Sequence, residues 1–124
     1  MPRRADMGST LFALRAAAWV CVAAVAYLSL VPPGMEVRTP MPAGVEHVLA
    51  YAGTAGAMTM GYPRRSLWLI AGALFAYSGL LEGLQGFVPG RHPEVVGALW
   101  SGTGALLGSY VAAQLRQRSP PSND

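Results

Sequence analysis

The sequence predicts an all-α fold: an integral membrane four-helix bundle with its N- and C-termini in the cytoplasm. Three observations predict it. Charged residues are scarce, four apolar runs are separated by short breaks rich in proline, glycine and arginine, and the arginines fall mainly on alternate breaks.

Hydrophobic residues make up 52% of the 124-residue chain and charged residues 12%. Soluble domains carry about 25% charged residues, so this chain has too few to cover a water-exposed bundle. The mean hydropathy of +0.35 points the same way. The net charge of +3 rests on arginine alone, since the chain has no lysine. These arginines stand singly or in pairs between apolar runs, as topology signals do. They form no basic patch or stripe, which argues against a nucleic-acid partner. Cys21 has no second cysteine to pair with and reads as a small packing residue.

Residues 1–10 read as a cytoplasmic N-terminal segment, 11–115 as the four-span domain and 116–124 as a disordered cytoplasmic tail (SPPSND at its end). The first span, 11–31, reaches about 31 Å as a helix, enough for a hydrocarbon core. Arg15, near its start, is expected to snorkel to the closer interface. Arg3 and Arg4 before it resemble a signal-peptide start, but the apolar run is longer than a usual signal core and three more follow. It reads as a retained signal anchor. Pro32, Pro33 and Gly34 stop it. The second span, 43–62, is the weakest, rich in Gly, Ala and Thr, with Glu46 and His47 near its start. The third, 66–86, is uncharged up to Glu82; the fourth, 95–115, carries no charge. If the spans alternate, Arg3, Arg4, Arg64, Arg65, Arg116 and Arg118 share one side, and Arg38 and Arg91 the other. The positive-inside rule puts the larger group in the cytoplasm.

Small residues recur at helical spacing: Gly72, Ala76, Gly79 and Gly83 in the third span, Gly97, Ser101, Gly104 and Gly108 in the fourth. Close backbone approach within the chain is the preferred reading of both rows, and a homo-oligomer through the glycine faces is the other.

The polar residues of the spans converge. His47 and Tyr51 share a helix face, with Thr54 continuing it; Glu82 and Gln85 share another, with Ser78 a turn below. Arg91 and His92 follow in the next loop. In the alternating arrangement all lie at the outer end. A carboxylate about 6 Å below the rim should face the bundle and find a partner, and Arg91 and His47 are the expected partners of Glu82. Structural glue and a binding or catalytic site remain equal readings of the cluster. Loose His and Glu spacing, with no HExxH, argues against a metal, and no cofactor is implied. GxSxG and P-loop motifs are absent.

The residues HVLAY (His47 to Tyr51), EGLQGFVPGR (Glu82 to Arg91), SLVP (Ser29 to Pro32) and the glycine-bearing last span resemble the VanZ-like family of small bacterial membrane proteins. The resemblance covers about residues 20–113, and EGLQGFVPGR is its specific part. It implies a multi-pass protein of the bacterial inner membrane, linked through the family's namesake to teicoplanin resistance and of unknown biochemical activity. The sequence departs from the family where an Asp-Lys pair is expected before the histidine (here Ala43 and Gly44). It departs again where an Asp and an Asn are expected in the last helix (here Gly97 and Ser101). The function expected is an envelope-associated protein whose candidate site, His47, Tyr51, Glu82, Gln85 and Arg91, binds a lipid headgroup or lipid-linked cell-wall precursor. Arg91 would hold an anionic group, Glu82 and His47 would exchange a proton, and Gln85 and Tyr51 would orient the ligand. The rivals are an assembly partner for another membrane protein, and a hydrolase or transferase acting on a lipid-linked substrate.

Overall fold

The structure, a computed structural model, describes residues 3–35 and 39–118. Arg38 and residues 119–124 of the expected disordered tail lie outside the described residues, and residues 116–118 of that tail are helical. The chain forms α1 (Arg4–Leu30), α2 (Ala43–Gly61), α3 (Leu67–Gln85) and α4 (Val95–Arg118). α1, α3 and α4 are long and apolar enough to cross a membrane.

The helices match the apolar runs except at two ends. α1 begins at Arg4, seven residues before the expected span, because local bonds carry it through polar residues. The Asp6 carboxylate accepts from Arg3 N at 3.1 Å, and the Ser9 and Thr10 hydroxyls donate to the Asp6 carbonyl. α4 likewise continues to Arg118. Hydropathy marks the apolar length of a helix, not its hydrogen-bonded length. α3 starts just after Ser66, whose hydroxyl accepts from Trp68 N at 3.1 Å and caps the helix.

The interior is rich in small residues, several of them hydroxylated, and the outside is large and apolar. The bulkiest fully buried side chains are Thr54, Thr59, Ser101 and Ser109. Phe12, Trp19, Val20, Trp68, Leu80, Leu107 and Val111 all face outward. Soluble proteins bury such residues. α2, the least apolar run, contributes as many buried residues as the longer α4, with Tyr51, Thr54, Ala55, Met58, Thr59 and Gly61 buried. Its weak hydropathy fits a helix surrounded by the others.

α2 and α4 form the broadest contact. A methyl group on Gly104 would strike the Val48 backbone, and one on Gly108 the Ala52 backbone. Four residues along one helix match four along the other, so the two run parallel with their backbones in contact. The row on α4 therefore packs within the chain as expected. The row on α3 does not: methyl groups at Gly72, Gly79 and Gly83 would meet nothing within 4 Å, and Ala76 is exposed.

α1 stands at the periphery, with Ala18 its one buried residue among those described. Polar staples hold it. Trp19 Nε1 donates to the Tyr62 hydroxyl at 2.8 Å, and the Tyr77 hydroxyl donates to the Val22 carbonyl at 2.7 Å. Arg15, placed by sequence as a snorkelling residue, has a closer partner. Its Nε donates to the Gly61 carbonyl at 2.7 Å, and its guanidinium lies 4.8 Å from the centre of the Tyr62 ring. Arg116 Nη1 reaches the Thr59 carbonyl at 2.9 Å. Two arginines thus meet the carbonyl end of α2, where the helix dipole favours positive charge.

Candidate functional site

A cleft of about 390 Å³ opens at the end of the bundle where α1 and α3 finish and α2 and α4 begin. His47, Tyr51, Glu82, Gln85 and Arg91, singled out from the sequence, all line it. Alternating helix directions bring the start of α2 and the end of α3 to one level, and helical spacing turns each pair of polar residues to one side.

The expected Glu82–Arg91 ion pair is not formed among the described residues. Glu82 Oε2 instead accepts from Glu94 N at 3.0 Å, at the start of α4. That end carries unpaired N–H groups and the positive end of the helix dipole, so a carboxylate is stabilised there. Arg91 is turned toward α1. Its Nε donates to the Val31 carbonyl and its Nη2 to the Leu28 carbonyl, both at 2.9 Å. Gln85 Nε2 donates to the Ser29 carbonyl at 2.9 Å. Arg91 and Gln85 therefore cap the last carbonyls of α1, which have no partner within the helix. They help wall the cleft and latch α1 to the end of α3.

Glu82 fits because position 97 is glycine. A methyl group there would stand 2.5 Å from Glu82 Oε1 and 3.9 Å from His47 Nε2. Gly97 thus marks the point on which the Glu82 and His47 heads converge. His47 Nδ1 lies 2.7 Å from the Ala43 carbonyl, one turn back on α2. Tyr51 is buried below, its hydroxyl beside those of Ser78 and Ser101. Gly97 and Ser101 both lie against this group.

Other wall residues escaped the sequence reading. Trp100 lies so close to α2 that a methyl group on Gly44 would stand 2.8 Å from its Cε2; no spacing rule links residues 56 apart. Glu94 and Ser29 enter through their backbone, which leaves no mark in residue type. Glu46 also lines the cleft, and its Oε1 accepts from Thr39 N at 3.1 Å and from the Thr39 hydroxyl. Gly90 has φ +81, a conformation that favours glycine; it brings the α3–α4 loop against Pro33.

No family model, no curated protein and no solved structure matches the chain.

Proposed function

We propose that this is a membrane protein whose four helices all span the bilayer, and that its cleft binds the polar headgroup of a membrane amphiphile. The observation that carries the reading is the reversed distribution of side chains around a polar cleft. Large apolar residues coat the outside, the buried centre is rich in Ala, Ser and Thr, and His47, Glu82 and Arg91 line a cleft at one end. A ligand with one polar and one apolar end fits a cleft at that depth, its head among Glu82, His47 and Tyr51 and its tail along the outer faces of the helices.

The arginine distribution supports cytoplasmic termini, which places the cleft in the outer leaflet. The likeness of EGLQGFVPGR and HVLAY to the VanZ-like pattern supports a bacterial inner-membrane protein of the cell envelope, with a lipid headgroup or lipid-linked cell-wall precursor as ligand. The bare row Gly72, Ala76, Gly79 and Gly83 on α3 favours a second reading, assembly with another membrane helix.

Native mass spectrometry of the full chain, purified in mild detergent, tests the first reading. Wild-type protein is expected to retain lipid. Ala50→Phe, which fills the cleft wall, is expected to lose it while melting as wild type does. A lipid-free wild type, or full retention in a correctly folded Ala50→Phe, would overturn the reading.

A further inference from the structure

We infer that the headgroup the cleft selects is a primary ammonium, not an anion. The inference rests on the headgroup reading above and narrows it. It starts from the tautomer of His47. A carbonyl oxygen only accepts, so the contact of Nδ1 with the Ala43 carbonyl at 2.7 Å puts the ring proton of the neutral imidazole on Nδ1. Nε2 of the neutral ring then carries the lone pair, and it lies 3.9 Å from where a Gly97 methyl would stand.

Glu82 supplies the second acceptor. One carboxylate oxygen is engaged by Glu94 N; the other, Oε1, faces the same point and receives no hydrogen bond from the described residues. Two acceptors thus flank this point, and no described residue donates to either. Two further carboxylates, of Glu46 and Glu94, belong to residues that line the cleft. The Trp100 indole, 46% exposed, forms another wall. The cation of the cleft, Arg91, directs its Nε and one terminal nitrogen at α1 carbonyls.

An anion in this position would face the Glu82 carboxylate and a histidine lone pair. A primary ammonium brings positive charge and three N–H donors, and it can satisfy Glu82 Oε1 and His47 Nε2 together. A quaternary ammonium brings the charge but no donor, and leaves both acceptors unpaired. The chemistry therefore ranks primary ammonium above quaternary ammonium, and both above an anionic head without an amine. A lipid headgroup and a free amine share this chemistry.

The test titrates the detergent-solubilised full chain with dihexanoyl phosphatidylethanolamine, phosphatidylcholine and phosphatidylglycerol, with ethylammonium chloride as competitor. Phosphatidylethanolamine is expected to bind about tenfold more tightly than phosphatidylcholine, the difference a charge-assisted hydrogen bond supplies, and phosphatidylglycerol most weakly. Displacement of the lipid by millimolar ethylammonium would assign a free amine as a sufficient ligand. A preference that ethylammonium leaves intact would assign the lipid as its source. Glu82→Gln is expected to abolish the preference for the primary amine over phosphatidylcholine. His47→Phe, which removes the other acceptor, is expected to do the same and serves if Glu82→Gln does not fold. Phosphatidylglycerol binding as tightly as phosphatidylethanolamine, or a preference that survives in the folded variants, would overturn the inference and leave the headgroup reading standing. Absence of binding by all three lipids would overturn both.

Discussion

Gly108→Ala and Gly79→Ala make the same chemical change on two helices and should move stability in opposite directions. At Gly108 the added methyl runs into the Ala52 backbone. Ordinary contact requires 3.4–4 Å, so α2 and α4 must part by roughly 1 Å along a close-packed seam, at a cost of about 1–3 kcal/mol. Backbone cannot swing aside as a side-chain tip can, and the estimate sits toward the upper end for that reason. At Gly79 the methyl meets nothing within 4 Å, and alanine's better helix propensity adds up to about 1 kcal/mol. The assay is unfolding in mixed detergent micelles by SDS titration, followed by far-ultraviolet circular dichroism, with both variants beside wild type. Gly108→Ala should unfold at lower SDS and Gly79→Ala at equal or higher SDS. A Gly108→Ala protein as stable as wild type would show that the α2–α4 seam is not closed by backbone contact. Equal losses at both positions would show that α3 has a packing partner on its bare face.

Arg91→Ala uncovers the Leu28 and Val31 carbonyls and should cost about 1–2 kcal/mol in the same assay, with Arg91→Lys recovering part of it because one ammonium is a poor match for two separated carbonyls; unchanged unfolding would refute the latch. Glu82→Ala removes the acceptor for Glu94 N and should cost about 1–3 kcal/mol. Glu82→Gln keeps an oxygen for that bond and should lose under about 1 kcal/mol, the share owed to charge at the start of α4; equal losses in the two variants would assign the stability to charge alone. Reporter fusions after Arg65 and after Arg118 should read as cytoplasmic and a fusion near Arg91 as periplasmic, and a cytoplasmic signal near Arg91 would reverse the orientation.

The helices were legible because apolar length and proline–glycine breaks are one-dimensional signals. The gathering of His47, Tyr51, Glu82, Gln85 and Arg91 was legible because helical spacing and alternating direction set depth. What each side chain holds was not. Sequence offers Glu82 and Arg91 as opposite charges close in the chain, yet both bind backbone, Glu82 at the start of α4 and Arg91 at the end of α1. Every residue has a carbonyl and nearly every residue an N–H, so residue type cannot announce such partners. The small-residue rows show the same limit. Gly79 and Gly83 repeat with the spacing of Gly104 and Gly108, and only the second pair meets a neighbouring helix.

The latch on α1 also sets an order in time. α1 is made first, and its carbonyls at Leu28, Ser29 and Val31 find their donors 56 to 63 residues later in the chain. At about 5–20 residues per second, synthesis separates the two by about 3–12 s. About midway through that interval the partners at the opposite end are made, Gly61 and Tyr62 for Arg15 and Trp19, 43 to 46 residues away. The partners for one end of α1 are therefore made before those for the other. A chain halted after α2 has Gly61 and Tyr62 for Arg15 and Trp19, and lacks Gln85 and Arg91, the donors that close the cleft end of α1.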